Sequence, residues 1–291
     1  MAIVSAKEIL IRASEGKYAV GAFNITNLVQ MLAIVETATE RKSPVIIQTS
    51  VSPTEFYKKE LIVAIYRSLA EKAPVPVVLH LDHCNDVDFC KKCALAGYTN
   101  IMIDASKQSF EGNVQQTREV VEYCHSLNNV TVEGELGTVS GIEDQVKVAT
   151  DKVQLCKPEE ALSFIEQTGV DFLAPAIGTA HGIYATKDPV VDFDRLEKIN
   201  QLINGRKVRI PLVIHGGSGL PQKTVQRLIA LGGSKVNVST ELKHAYIDTS
   251  FDYIVNHRDE YEPGKVNKAV KSAIKKVVNN WIDVIGSADR Y

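Results

Sequence analysis

Three histidines each stand just beyond a short apolar run that reads as a buried strand: His83 in VVLHLDH, His181 in FLAPAIGTAH and His215 in PLVIHGGSG. A catalytic zinc takes three protein ligands, often imidazoles, and keeps a fourth position open for water or substrate. One histidine at a strand end is more often structural than a ligand. Three at equivalent positions of repeated strand–helix units point to a shared Zn2+ ion. Directly after His215 come Gly216, Gly217, Ser218 and Gly219, a segment with little side chain to stop backbone N–H groups closing around an anion. A Lewis acid beside a phosphate cradle would polarise a carbonyl or stabilise an enolate oxygen.

Carboxylates accompany the histidines. Asp82 adjoins His83, and neighbours on a regular strand face opposite ways, so the two share a pocket only if the chain turns there. Asp82 would then give or take a proton beside the metal; otherwise it is a helix cap or a carboxylate behind a ligand. Glu133 and Glu135 lie two apart on one run and share a face. With Asp104 they could orient a histidine or form a second metal position. Residues 138–157 contain Gly141, Ile142, Glu143 and Asp144 with no clear helical pattern, and long loops of this kind are often lids. Glu143 could deliver a base from such a lid, although solvated loop charge is the simpler account of its composition.

The elements that must hold these residues alternate. β-rich runs at 19–24, 44–49, 75–82, 100–104, 130–134, 171–176, 211–215 and 235–238 are separated by segments of helical period at 28–41, 53–72, 86–97, 110–127, 158–169, 192–203 and 222–232. Eight strand–helix units imply an α/β fold, a closed (β/α)8 TIM barrel. No early GxGxxG follows a strand, as a doubly wound nucleotide-binding sheet would require. Residues 266–285 carry a further amphipathic helix, which could cover the barrel or a partner subunit. A (β/α)8 barrel builds its site at the C-terminal strand ends, with phosphate commonly bound after strands seven and eight. The polar residues gather there: Asn24, Ser50, Asp82 with His83, Asp104, Glu135, His181, His215 to Ser218, and Asn237 to Thr240. Capping explains a few of these, but not all eight ends.

With 291 residues, 45% hydrophobic and 23% charged, the chain is expected to form a single domain over 1–291, since no linker or composition break divides it. A formal charge of −2 and the absence of a long basic run argue against a nucleic-acid partner. No apolar run reaches membrane-spanning length and the N-terminus carries no signal-peptide core, so no membrane partner is expected. Five cysteines, an odd number, point to reduced thiols and a cytoplasmic location. Cys90 and Cys93 have redox-motif spacing, but they lack a second pair and sit in a helical context.

The motifs YAVGAFNITN, SPVIIQTS, VVLHLDH, IMIDAS, VEGELGTVSGIED, AIGTAHGIY, PLVIHGGSG and KVNVSTELK, in that order and nearly end to end, make the chain resemble the class II, zinc-dependent ketose-bisphosphate aldolases, in their tagatose- and fructose-1,6-bisphosphate branch. The resemblance implies zinc on His83, His181 and His215, with Asp104 and Glu135 as an alternative metal position. It implies Asp82 as the acid that protonates the aldehyde oxygen formed on cleavage, and Glu143 as the base for the C3 proton of dihydroxyacetone phosphate. Gly182, Gly216, Gly217, Ser218, Asn237, Ser239 and Thr240 match the dihydroxyacetone phosphate site, where a monovalent cation (Na+ or K+) commonly assists. A homodimer or homotetramer acting on a small phosphorylated sugar is expected.

Two departures bear on the sugar. Ser239 stands where fructose-type enzymes often carry Asp, which leans towards tagatose. Many members have Asp-Pro-Arg near the C-terminal helix, the Arg reaching the distal phosphate; here the stretch is Glu262-Pro263-Gly264, with Arg258 or Lys265 as substitute cations. A ketose 1-phosphate is therefore the alternative substrate. A metal-dependent hydrolase with a second permanent metal at Asp104 and Glu135 is the competing activity, but it would leave the phosphate cradle without a task. A non-catalytic subunit would not need the set of site residues present.

Overall fold

The structure is a computed structural model that describes residues 3–143, 146–148, 154–182, 184, 186, 188–205 and 209–291, with the backbone alone for 140–143 and 146–148. Eleven strands are described, numbered in chain order: β1 (Val20–Asn24), β2 (Val45–Thr49), β3 (Val77–Cys84), β4 (Asn100–Ile103), β5 (Thr131–Leu136), β6 (Ser140–Glu143), β7 (Val146–Val148), β8 (Phe172–Pro175), β9 (Ala180–His181), β10 (Leu212–Ile214) and β11 (Gly233–Val238). Eight of them close a barrel in the order β1, β11, β10, β8, β5, β4, β3, β2, every adjacent pair parallel. These are the eight expected runs. Each is covered on both faces, which is why runs such as VIIQT read as nearly unbroken apolar stretches instead of alternating.

Helices α1 (Ala6–Gly16), α2 (Leu28–Glu40), α3 (Val51–Tyr57), α4 (Lys59–Ala70), α5 (Val87–Ala96), α6 (Phe110–Ser126), α7 (Pro158–Thr168), α8 (Phe193–Asn204), α9 (Gln222–Ala230), α10 (Thr240–Asn256) and α11 (Pro263–Ile285) complete the fold. Several loop residues are caps: the side chains of Asn27, Asp86, Ser109 and Asp192 accept first-turn N–H groups of α2, α5, α6 and α8. Helix α1 lies across the N-terminal end of the barrel. Its Ile9, Leu10 and Ala13 join Val20, Ile46, Val78, Phe172 and Val213 in one buried cluster. That end is sealed with apolar side chains, and the C-terminal mouth is left for a site. Helix α11 buries Val270, Ile274, Val278, Trp281, Ile282 and Ile285 and packs on α2 and α10 of the same chain. No described helix is long and apolar enough to cross a membrane. All five cysteines are free and buried, so Cys90 and Cys93 are core residues of α5.

Three local expectations are corrected. The segment 53–72 is two helices, broken at Lys58, whose φ of 69° no α-helix accommodates. The 138–157 loop contains a hairpin, β6 against β7, and β6 pairs in parallel with β9 to make a separate three-stranded sheet. Helix α10 was not legible as a helix of its own because its apolar residues do not form an inward stripe: among its residues only Leu242 is buried, while Ile247, Phe251, Ile254 and Val255 are exposed.

Candidate active site

The turn that Asp82 and His83 need is present. The β3–β4 register shifts between Leu81 and Cys84, and His83 has φ 47°, in the left-handed region. Such a backbone costs a non-glycine residue roughly 1–3 kcal/mol and persists where its surroundings fix it. The His83 ring meets the His215 ring with centroids 4.6 Å apart and the His181 ring at 4.9 Å. One nitrogen from each of the three lies within 4.8 Å of the others. Metal–imidazole bonds near 2 Å, as zinc makes, require ligand nitrogens roughly 3–4 Å apart, which this cluster accommodates.

Carboxylates orient the rings from behind. His83 Nδ1 is 3.0 Å from Asp104 Oδ2, and Asp104 Oδ1 accepts from the backbone N–H and hydroxyl of Ser106. His215 Nε2 is 3.0 Å from Glu133 Oε1. This is the orienting role open to Glu133 from its sequence position. On the other edge, His215 Nδ1 lies 3.2 Å from Glu135 Oε2, and neither buried atom makes a hydrogen bond. Buried polar atoms are nearly always satisfied, so this pair fits a metal ion supplied from solution. His83, Asp104 and Glu135 form a second group with donor atoms within 4.8 Å of one another. Burial and the His83 charge push the His215 imidazole down, yet Glu133 and Glu135 outweigh them and raise it to about 9. Burial and the Asp104 charge push Glu135 up.

His181 is reached differently. It sits on β9, where Gly141 of β6 is its register partner. The Tyr184 hydroxyl accepts from Ala180 N–H at 3.0 Å and donates to the Gly216 carbonyl at 2.7 Å, tying the His181 segment to the glycine loop. Glu143 is two residues beyond Gly141 on β6, about 7 Å along an extended strand; its side chain lies outside the described residues.

Asp82 is fully buried. Oδ2 accepts from Asn24 Nδ2 at 2.8 Å and Gln48 Nε2 at 3.2 Å, and Oδ1 from Asn237 Nδ2 at 3.2 Å. Burial pushes its carboxyl up, but the positive charge on His83, the His80 ring 3.6 Å from Oδ1 and the Lys235 charge together hold it well below the usual range. Asp82 is thus held as a carboxylate.

Asn24, His181, Gly182, Gly216, Gly217, Ser218, Asn237, Ser239, Thr240 and Lys243 line one pocket at the mouth. Helix α10 begins at Thr240 with no side-chain cap from Ser239, so first-turn N–H groups are left for an anion. Gly216 has φ 67°, and a Cβ there would stand 2.3 Å from the Ala180 carbonyl oxygen. Gly216→Ala is expected to raise KM for a phosphorylated substrate about tenfold or more and to destabilise the fold by more than about 1 kcal/mol; steady-state kinetics with a thermal melt checks both. Ser50 is not among the residues lining this pocket; it stands between β2 and α3, at the N-cap position with no side-chain cap bond, and its carbonyl accepts from the Thr54 hydroxyl.

These features fit one family, and comparison with known proteins agrees. A model of the family "Fructose-bisphosphate aldolase class-II" matches residues 4–290. The chain belongs to the class II fructose-bisphosphate aldolases. A solved structure titled as a fructose-1,6-bisphosphate aldolase from Coccidioides immitis is 30% identical, with 98% of this chain and 97% of that chain covered and a TM-score of 0.88. The YdjI aldolase from Escherichia coli K12 is 28% identical, with 99% of each chain covered and a TM-score of 0.84. Fructose-bisphosphate aldolase from Campylobacter jejuni shares the fold at 22% identity and a TM-score of 0.82, over 100% and 97% of the two chains. The protein is accordingly an aldolase, a carbon–carbon lyase on a TIM barrel.

Reading the aldolase from sequence missed four polar residues of its mouth. Gln48 and His80 point inward beside Asp82, Tyr184 braces the His181 segment, and Lys243 lines the glycine-rich pocket. Gln48 and His80 had a signal: each is a polar residue inside an otherwise apolar strand run, and His80 shares a face with Asp82.

Proposed function

We propose that this aldolase reversibly cleaves a ketose phosphate between C3 and C4 into dihydroxyacetone phosphate and an aldehyde, with one zinc ion per chain on His83, His181 and His215. The observation that carries the reading is the convergence of three imidazoles beside Asp82, at the edge of a glycine-lined pocket. When bound, zinc would supply a Lewis acid for the ketose carbonyl. The chain supplies the rest. Gly182, Gly216, Gly217, Ser218, Asn237, Ser239 and Thr240, with Asn24, would hold the dihydroxyacetone phosphate half, with Na+ or K+ as an assisting ion. Asp82 would give a proton to the aldehyde oxygen and take it back in condensation, held in place by Asn24, Gln48 and Asn237. Glu143, on the loop strand paired beside His181, would move the C3 proton. Asp104 and Glu135 would hold His83 and His215, or offer the ion a second position.

The substrate we favour is tagatose or fructose 1,6-bisphosphate, giving glyceraldehyde 3-phosphate. A ketose 1-phosphate is the second reading, and one observation favours it. Gly264 stands in the first turn of α11 on an exposed corner, where Lys265 is paired with Glu260. Lysine also cannot reproduce a bidentate guanidinium fork. A homo-oligomer is supported by the exposed row Ile247, Phe251 and Ile254 along α10, spaced to form one apolar stripe.

The test is dihydroxyacetone phosphate release by zinc-loaded protein from tagatose 1,6-bisphosphate, fructose 1,6-bisphosphate and the two 1-phosphates. Release from a bisphosphate at least about tenfold faster than from its 1-phosphate supports distal phosphate recognition; the reverse order assigns the 1-phosphate. Release from none, with zinc in place, would sink the sugar assignment.

A further inference from the structure

Lys235 is the unexplained group of the barrel interior. It is a lysine with no exposed surface, on β11 two residues before Asn237, so both side chains point inward. Its Nζ lies 2.9 Å from Glu133 Oε2 and 2.9 Å from Asn237 Oδ1. An ammonium has three donors and no acceptor, so both neighbours must turn an oxygen towards it. For Asn237 this decides the amide's direction: with Oδ1 on Lys235, Nδ2 faces Asp82 Oδ1 at 3.2 Å and must donate to it. The opposite amide direction would set NH2 against the ammonium and a carbonyl against the carboxylate.

The same logic runs along the other arm. With Oε2 of Glu133 on Lys235, Oε1 is left for His215 Nε2 at 3.0 Å. A carboxylate only accepts, so Nε2 carries a hydrogen, and Nδ1, 3.2 Å from Glu135 Oε2, is the ring nitrogen left to meet a metal ion. Five groups therefore form one continuous chain, His215, Glu133, Lys235, Asn237 and Asp82, with the lysine at its centre.

We propose that Lys235 is a positioning residue that fixes the orientation of two separate groups at once, the metal ligand His215 and the proton carrier Asp82; this rests on the aldolase reading above. Packing alone does not require it. A buried ion pair is weak support for stability, and apolar side chains of similar volume fill such sites as well.

Lys235→Met, Glu133→Gln and the double variant test the proposal, each compared with the parent. Lys235→Met is expected to lower kcat about 10–100-fold with KM within about twofold, and to weaken zinc about tenfold. It is also expected to change the visible spectrum of the cobalt-substituted protein and the 15N shifts of the His215 imidazole. Should Lys235→Met not fold, the double variant removes both buried charges, and it is expected to show the same losses because nothing then directs Asn237. A folded variant with parental kcat, zinc affinity, cobalt spectrum and imidazole shifts would overturn the proposal. So would a loss of activity that matches the unfolded fraction alone. The last three readouts need no substrate, and the imidazole shifts need no metal. A parent that binds zinc but cleaves no ketose, or that binds no zinc, therefore counts against the proposed function and leaves Lys235 still tested.

Discussion

His215→Ala is expected to cost about four orders of magnitude in ketose phosphate cleavage, about 5.5 kcal/mol of barrier at about 1.36 kcal/mol per decade. The substitution removes a ring that Glu133 and Glu135 both face, so it deletes one donor of the metal cluster and leaves two buried carboxylates without their imidazole. Zinc content should fall from about one per chain towards zero. Glu133 keeps Lys235, but the buried Glu135 loses its nearest imidazole, so part of the loss comes from unfolding; removing one partner of a buried charge costs several kcal/mol. His181→Ala separates the two effects. Its ring is only partly buried and is carried by the small sheet outside the barrel, so zinc and activity should fall as far with a smaller drop in Tm. Zinc analysis, circular dichroism and cleavage rates on both variants check this. Retention of zinc and rate in either would remove the three-histidine site from the account.

Asp82→Asn should have the next largest effect, a fall in kcat of about 10²–10⁴-fold, the usual range for loss of a placed proton carrier. The amide occupies the same space but cannot exchange a proton with the substrate oxygen, and it sets an NH2 against at least one of the donors from Asn24, Gln48 and Asn237. Zinc content and KM should stay near parental values. The division of labour gives a sharper test: if Glu143 handles the C3 proton, Asp82→Asn should still exchange that proton of dihydroxyacetone phosphate with deuterated solvent. Loss of exchange along with cleavage would mean that Asp82, not Glu143, carries it.

Much of this site could be read from the chain because its residues sit at strand ends. A strand buried on both faces is an apolar run, and the first polar residue beyond it marks the barrel mouth. His83, Asp104, His181 and His215 were visible in that way, as was the glycine loop that follows the last of them. Residues inside the runs were less visible. Gln48 and His80 interrupt apolar stretches, but one polar residue in a strand does not tell what it faces until the barrel closes. Lys235 is the extreme case, since its meaning depends on Glu133, which lies three staves away in the barrel order. Asp82 and His83 could be placed together only on condition of a turn, and the left-handed backbone at His83 meets it. The strand β6 was hidden for another reason: besides its short partner β7 it pairs with the two-residue β9, a long-range contact with no local pattern.

Whether cleavage depends on zinc is decided by dihydroxyacetone phosphate release from protein stripped with a chelator and then reloaded with zinc, with borohydride added during turnover in a parallel sample. Stripping should abolish release, about one zinc per chain should restore it, and no lysine adduct should form, since the chemistry needs no amine nucleophile. Cleavage by the metal-free protein together with a borohydride-trapped adduct on a lysine, Lys235 above all, would contradict zinc-dependent cleavage.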